Sequence, residues 1–308
     1  MGEYIIKTKN LTKNYGKFCA LNRVGISVKR GEIYGLVGDN GAGKTTFLKL
    51  LSGLATPSEG EIALFGEHEE KKIEKMRNRT GVLIENPGFY PQLNVRQNLE
   101  YARIQKGVPG KKCVEEILEL TGLRTAAKKK AKSLSLGMKQ RLGLGIALMG
   151  IPELLILDEP INGLDPSGIV EMRNLLLRLC REKNITILLS SHILSELEQM
   201  ADTYGFLKNG CLLRQISRKA ILEECADYVE IAVSDREKYA ALLEKELSVG
   251  NYKVMPNGKI RILNAEFVNE IYSRLAQEHE IDVLELSRKS QSLEEYYLNL
   301  KEGGSQLC

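Results

Sequence analysis

The stretch Gly38-Asp39-Asn40-Gly41-Ala42-Gly43-Lys44-Thr45-Thr46 decides the fold of this chain. It matches the pattern G-x-x-x-x-G-K-S/T, which binds phosphate when a strand precedes it and a helix follows it. Here the apolar run 33–37 precedes the pattern and residues 47–51 continue it with helical character. A glycine-rich turn that contains Lys-Thr by chance is the alternative, and the two flanking segments argue against it.

The residue types of this loop indicate how it binds a nucleotide. Glycines at 38, 41 and 43 let successive backbone N–H groups and the start of the next helix point at a β-phosphate. Lys44 can reach the β- and γ-phosphates, and the Thr45 hydroxyl is placed to ligate Mg²⁺. The stretch therefore predicts a nucleotide site that uses magnesium.

Composition limits the other possibilities. The 308 residues carry 44 Lys and Arg against 40 Asp and Glu, a net charge of +4 that is too small to argue for a nucleic-acid partner. No run of eighteen apolar residues and no signal-peptide pattern occurs, so we expect a cytosolic chain. The six cysteines stand singly, which indicates reduced thiols.

Periodicity divides the chain into two predicted domains. In domain 1–212, a small antiparallel β layer precedes an α/β core with a mainly parallel sheet, and a helical subdomain at about 86–150 lies between two core strands. Domain 213–308 has a separate α+β pattern without a catalytic constellation, which indicates an accessory or regulatory role. The predicted fold class is thus α/β, a P-loop NTPase core with a small C-terminal α+β domain.

The individual elements follow from the same patterns. Strands are predicted at 4–6, 21–24, 25–28, 33–37, 61–66, 81–84, 154–157 and 185–189, and helices at 95–104, 114–121, 138–149 and 194–200, before a hairpin closed by Asn209-Gly210. In the second domain, strands are predicted at 228–233, 253–255, 259–263 and 283–286, and helices at 238–247, 266–277 and 293–300.

Polar residues follow two predicted strands of the core. Asp158 and Glu159 end the apolar run 154–157, and His192 comes shortly after the run 185–189. In a parallel sheet these ends lie at the edge that also carries the phosphate loop. Asp158 can therefore hold the magnesium, Glu159 can accept a proton from an attacking water, and His192 can contact the γ-phosphate. Tyr15, in a polar turn, either stacks on an adenine or is an ordinary half-exposed tyrosine.

The stretch Leu134-Ser135-Leu136-Gly137-Met138-Lys139-Gln140-Arg141 carries a family resemblance. It is similar to the signature sequence of the nucleotide-binding subunits of ABC transporters, with Leu136 in place of a Gly and Met138 in place of a Gln. The resemblance covers about residues 4–212. It implies that Ser135, at the start of a helix, binds a γ-phosphate.

The resemblance also assigns roles elsewhere. It implies that residues 162–165 form the loop that crosses between partners, that His192 is the switch histidine and that Tyr15 stacks on adenine. In this family two nucleotide-binding domains pair head to tail, so a second copy or a paralogue is implied. A separate membrane permease is implied as well, which would hold the chain at the inner face of the cell membrane.

Glu85 stands where the family usually has Gln. Glu85 with the following Asn86-Pro87-Gly88-Phe89-Tyr90 resembles the ATPases of bacitracin and lantibiotic self-protection exporters, which implies ATP-driven export of antimicrobial peptides. A general efflux ATPase, a regulatory nucleotide-binding module and a non-transport ABC ATPase are the alternatives. A Glu at this position adds negative charge beside Asp158 and Glu159 and should alter metal affinity.

These interpretations define the candidate site. The candidate catalytic residues are Lys44, Asp158, Glu159 and His192, and the candidate metal ligands are Thr45, Glu85 and Asp158. The candidate ATP-binding residues are Tyr15, Gly38, Asn40, Gly41, Gly43, Lys44, Thr45, Thr46, Glu85, Ser135, Gly137 and Asp165.

Overall fold

A computed structural model of the chain describes residues 3–85, 88–224, 228–263, 267–289 and 292–303. The chain divides into two compact units, of which the first contains Met1–Arg218 with Lys301–Cys308 and the second contains Lys219–Leu300. Asn86 and Pro87 of the Glu85 motif lie outside the described residues, as does Glu266 at the start of a predicted helix.

An antiparallel β layer opens the first unit. Its strands are β1 (Tyr4–Tyr15), β2 (Phe18–Val24), β3 (Ser27–Lys29) and β5 (Glu59–Leu64), and β1 pairs with each of the other three. The first strand is longer than predicted, because its pairing with β2 continues to Tyr15 opposite Phe18. Tyr15 therefore lies at the end of a strand and not in a turn.

The core of the first unit is a six-stranded sheet. Its strands are β4 (Ile33–Val37), β6 (Thr80–Leu83), β7 (Leu154–Asp158), β8 (Thr186–Ser191), β9 (Thr203–Lys208) and β10 (Cys211–Ser217). The spatial order is β10-β9-β4-β8-β7-β6, and all neighbours are parallel except β9 and β10. Every residue of β4, β7 and β8 is buried, as expected for strands covered on both faces. The parallel register places the carboxyl ends of these three strands side by side.

Helices cover this sheet and form the insertion. They are α1 (Lys44–Ser52), α2 (Glu70–Arg77), α3 (Val95–Gln105), α4 (Lys112–Leu120), α5 (Leu136–Leu148), α6 (Pro166–Lys183) and α7 (Leu194–Met200), with short 3-10 turns at Arg124–Ala126 and Ala131–Ser133. A further helix, α8 (Arg218–Glu224), follows β10 in the chain. The helices α3, α4 and α5 lie between β6 and β7 in the chain, within the stretch of about 86–150 where a helical subdomain is predicted.

Three helices are absent from the sequence-based prediction. In α2 only Ile73 is buried, so the segment shows no apolar period. The longest helix, α6, does carry the usual starting signals, since Asp165 caps it and Pro166 occupies its first turn. The third missed helix, α8, is only seven residues long.

The predicted hairpin at Asn209-Gly210 is confirmed. Both residues have positive φ, 48° for Asn209 and 79° for Gly210, which is the conformation that a two-residue hairpin turn of type I′ requires. This turn joins β9, which lies next to β4 in the core sheet, to the edge strand β10.

The second unit repeats strand and helix in the order β-α-β-β-α-β. Its elements are β11 (Tyr228–Val233), α9 (Arg236–Leu247), β12 (Tyr252–Val254), β13 (Ile260–Leu263), α10 (Asn269–Glu278) and β14 (Val283–Lys289), and the chain then forms α11 (Leu293–Gly303). The strands form an antiparallel sheet in the order β12-β13-β11-β14, the arrangement of a split βαβ fold. Tyr239 and Tyr272, both fully buried, pack with Ile231 and Ile262 in its core.

No helix in the described part of the chain combines the length and the apolar character that a membrane span needs. The helix α6 has eighteen residues, but many of them are charged.

Replacing Gly81 by Ala should destabilise the first unit. A Cβ at this position in β6 would lie 2.4 Å from the backbone oxygen of Ala147 in α5 and 2.7 Å from a methyl carbon of Leu155. Relieving this overlap should cost about 1–3 kcal/mol of unfolding free energy, measured by chemical denaturation. Gly88→Ala is the matched control, because its Cβ would meet no atom within 4 Å. Equal stability of the two variants would show that α5 does not pack on β6 in this way.

Candidate nucleotide-binding and catalytic site

The phosphate loop joins β4 to α1 as predicted. Gly43 occupies the N-cap position of α1 with φ 106°, and Gly41 has φ 82°. Side chains are excluded at two of the glycines, because a Cβ on Gly43 would lie 2.7 Å from the Ala20 oxygen and one on Gly38 2.6 Å from the Leu207 oxygen. No side chain caps α1. The first N–H groups of the helix are therefore available to an anion.

Lys44 is buried at the start of α1 and is held by three oxygens. Its Nζ donates to the backbone oxygens of Gly38 (2.7 Å) and Asp39 (3.2 Å) and lies 3.1 Å from Glu159 Oε1. The two backbone contacts fold the lysine back over its own loop. Its ammonium group is thereby placed where the loop would receive phosphate.

A hydrogen-bond network joins the phosphate loop to the strand ends. Thr45 Oγ1 donates to Asp158 Oδ2 (2.8 Å), and Ser190 Oγ donates to Asp158 Oδ1 (2.6 Å). Ser190 Oγ also accepts from the backbone N–H of Glu159 (3.0 Å). One buried hydroxyl on β8 therefore orients both acidic residues that follow β7.

Glu159 and His192 are in contact. His192 Nδ1 lies 2.7 Å from Glu159 Oε2, while the other carboxylate oxygen faces Lys44. Glu159 has φ 47°, a left-handed conformation that is strained by about 1–3 kcal/mol in a residue with a side chain. Such strain persists only where the surroundings hold the backbone in place, and here the Ser190 hydroxyl supplies one such contact.

Glu85 does not stand as an uncompensated negative charge. Lys49 Nζ in α1 donates to its Oε1 at 2.5 Å, and this hydrogen bond raises the pKa of Lys49 above its ordinary value. The sequence predicted that Glu85 adds negative charge beside Asp158 and Glu159. The Lys49 ammonium balances that charge, and sequence reasoning had not identified this partner. Glu85 also has a positive φ of 60°.

The phosphate loop forms the floor of a cavity of about 280 Å³. Seven residues of the loop between Asp39 and Thr46 line it, together with Glu159, Phe18 and Ala20. Phe18 is 65% exposed, and sequence reasoning missed it, although an exposed aromatic in a strand beside the loop is a usable signal. Tyr15 is 49% exposed and does not line the cavity; its ring lies 5.0 Å from the Nζ of Lys13.

The signature stretch starts α5, with Ser135 as its N cap. The Ser135 Oγ accepts from the Met138 N–H at 3.3 Å, and Leu136 is exposed. The loop that follows β7 ends at Asp165, which caps α6. A hydrogen bond from the Ser167 hydroxyl lowers the pKa of Asp165. Among the described residues that line the phosphate-loop cavity, none comes from the signature or from residues 162–165.

The structure thus brings together one group of the predicted residues and leaves another outside it. Lys44, Thr45, Asp158, Glu159 and His192 are joined by direct contacts. Ser135, Gly137 and Asp165 are placed at helix starts that do not line this cavity. Ser190 is the principal addition that sequence reasoning did not make.

The chain matches known proteins over nearly its whole length. The sequence profile of the ABC transporter family matches residues 21–162. The bacitracin transport ATP-binding protein BcrA of Bacillus licheniformis is 44% identical over 301 residues, which are 98% of this chain and 98% of BcrA. The chain belongs to the ATP-binding proteins of ABC transporters. It is an ATP-binding subunit that hydrolyses ATP, and the predicted fold class is confirmed.

Two further proteins match about two thirds of the chain. The lantibiotic transport ATP-binding protein SrtF of Streptococcus pyogenes is 41% identical over 210 residues, 68% of this chain and 89% of SrtF. The ATP-binding cassette MJ0796, solved as a dimer in a post-hydrolysis state with ADP and Pi, has a TM-score of 0.63 and 26% identity. That alignment covers 69% of this chain and 98% of the cassette.

Replacing Ser190 by Ala should weaken both stability and catalysis. The change leaves the part-buried Glu159 N–H without its acceptor and removes a donor from Asp158, which should cost about 1–3 kcal/mol of unfolding free energy. ATP hydrolysis should fall about tenfold or more, because both acids lose orientation. Ser195→Ala, at an exposed position, is the control. Wild-type stability and turnover in the Ser190 variant would show that the network is dispensable.

Proposed function

We propose that this chain powers the export of a peptide antibiotic, of the bacitracin or lantibiotic type, through a separate membrane permease. The observation that carries the proposal is the similarity to BcrA, which extends over 98% of both chains and so includes the second unit. The match to the cassette MJ0796 is shorter and covers 69% of this chain. The stretch that begins at Glu85 resembles that of the self-protection exporter ATPases, and this supports the same assignment.

On this proposal Thr45 and Asp158 hold Mg²⁺. Their oxygens already lie 2.8 Å apart at the floor of the phosphate loop, and both are the hard ligands that this cation prefers. Magnesium usually takes few protein ligands and completes its shell with phosphate and water, which fits this small set. Bound there, it would neutralise developing phosphate charge. Glu85, which contacts Lys49, is a further candidate ligand for the magnesium ion.

Glu159 is the proposed general base for the attacking water. One of its oxygens contacts Lys44 and the other His192, so the carboxylate is fixed on both sides. His192 orients Glu159 and, as the switch histidine, contacts the γ-phosphate. Lys44 and the backbone N–H groups of Gly41 and Gly43 stabilise the phosphate oxygens. Tyr15 remains the proposed adenine-stacking residue, and Phe18, opposite Tyr15 in the β1–β2 pairing, is a second aromatic candidate that lines the cavity.

We further propose that two nucleotide-binding domains pair and complete each other's sites. Ser135, Gly137 and Asp165 lie outside the cavity formed by their own phosphate loop, so they need a second copy or a paralogue to act on. MJ0796, solved as a dimer, supports this arrangement. The permease partner would hold the chain at the inner face of the membrane. The proposed nucleotide-binding domain is 1–212 and the proposed accessory domain is 213–308, although residues 213–217 belong to β10 of the core sheet.

Glu159→Gln should trap the nucleotide-bound dimer. Gln keeps the shape of the side chain but cannot accept a proton from water, so ATP hydrolysis should fall by about 10²–10⁴-fold. Bound ATP should then accumulate between paired domains. Size-exclusion chromatography with light scattering, with and without ATP and magnesium, measures the dimer, and a phosphate-release assay measures turnover.

Glu182→Gln is the matched control, because Glu182 is exposed and lies away from the phosphate loop. Turnover close to that of the wild type in Glu159→Gln would remove Glu159 from the role of base. Tight ATP binding without a dimer would instead direct attention to the altered signature residues Leu136 and Met138.

Loss of this chain should sensitise its host to bacitracin or to a lantibiotic. The minimum inhibitory concentration should fall in a deletion strain and return with the wild-type gene, but not with Glu159→Gln, because export requires hydrolysis. An aminoglycoside is the control compound. Unchanged susceptibility to all peptide antibiotics tested, in a strain that produces the active ATPase, would favour a different cargo.

A further inference from the structure

Asp39 places a negative charge in the phosphate loop. It follows Gly38, lines the nucleotide cavity, and 63% of its side chain is exposed. An ATP molecule brings several negative charges to the same loop, and like charges at this range repel each other. A carboxylate at this position therefore weakens ATP binding unless another group balances it.

Lys301 supplies the balancing charge. It lies in the last part of α11 and belongs to the first compact unit, although it is remote in sequence from the rest of that unit. Its Nζ lies 2.6 Å from Asp39 Oδ2, and 23% of its side chain is exposed. Such a short contact between full charges is stronger than a neutral hydrogen bond.

A second contact holds the backbone of Lys301. The Nζ of Lys208, the last residue of β9, donates to the Lys301 backbone oxygen at 2.8 Å. The strand β9 pairs directly with β4, which leads into the phosphate loop. Lys301 is thus fixed at both its backbone and its side chain, beside the loop that binds phosphate.

We propose that Lys301 is a charge-balancing residue of the nucleotide site, which acts through Asp39 and sets the affinity for ATP. The inference deepens the function proposed above, because it depends on the phosphate loop being the ATP site. It also gives a role to the end of the chain, where sequence reasoning found no catalytic constellation.

The test is the dissociation constant for ATP in the full-length chain, measured calorimetrically without magnesium so that hydrolysis does not interfere. Lys301→Ala should raise this constant by roughly three- to tenfold, the effect of one unbalanced charge near the surface. Lys301→Arg keeps the charge and should bind ATP as the wild type does. Asn299→Ala, an exposed position in the same helix, is the matched control.

The charge argument predicts a rescue that a purely structural role does not. Asp39→Asn combined with Lys301→Ala should restore affinity, because the carboxylate that needed balancing is gone. The loss in Lys301→Ala should also shrink at high ionic strength. Unchanged or tighter ATP binding in Lys301→Ala, or no rescue by Asp39→Asn, would overturn the proposal.

The binding experiment separates this inference from the proposed export function. Lys44→Ala tests whether the phosphate loop is the ATP site, since it should abolish ATP binding irrespective of Lys301. If Lys44→Ala abolishes binding while Lys301→Ala does not alter it, only the charge-balancing role fails. A wrong assignment of the exported peptide would leave all these binding constants as predicted.

Discussion

The hydrogen bond from Thr45 Oγ1 to Asp158 Oδ2 is the contact on which the rest of the site depends. It joins the first turn of α1 to the end of β7, two elements more than a hundred residues apart in sequence. It forms because β4, β8 and β7 are adjacent and parallel, so that their carboxyl ends open at one edge. If β7 ran antiparallel to β4, Asp158 would lie at the opposite edge of the sheet from the start of α1.

Charge is closely matched around this contact. Three pairs of opposite charge lie near the phosphate loop, namely Lys44 with Glu159, Lys49 with Glu85, and Lys301 with Asp39, while Asp158 is held by the hydroxyls of Thr45 and Ser190. A site built to receive a polyanion can then bind it by exchanging one set of charge contacts for another. The electrostatic free energy needed to bring phosphate to the loop is therefore lower than it would be if these carboxylates were unpaired.

The arrangement also separates binding from completion of the site. The phosphate loop, Asp158, Glu159 and His192 are assembled within one chain, whereas Ser135 and Asp165 start helices that do not line the same cavity. A helix N-terminus carries partial positive charge, and the start of α5, capped by the neutral Ser135, is better suited to an anion than that of α6, which the Asp165 carboxylate already caps. On the proposed pairing, this division gives a physical reason why ATP hydrolysis would depend on the association of two nucleotide-binding domains.

The sequence by itself determined the phosphate loop, the two acids after β7 and the signature at the start of α5. These are local patterns, in which residues a few positions apart specify a turn, a strand end or a helix cap. It also gave most strands and helices, and it missed α2, where one buried residue leaves no period. The described chain agrees with the predicted fold class in each of its layers.

Only the tertiary structure decided which distant residues meet. Three contacts have no local signature in the sequence. Ser190 hydrogen-bonds to both Asp158 and Glu159, Lys49 pairs with Glu85, and Lys301 pairs with Asp39. A serine or a lysine in a helix or strand is an ordinary polar residue until folding brings it to a partner. Such pairings are set by strand order and helix packing, which depend on the burial of the whole chain and not on any single stretch.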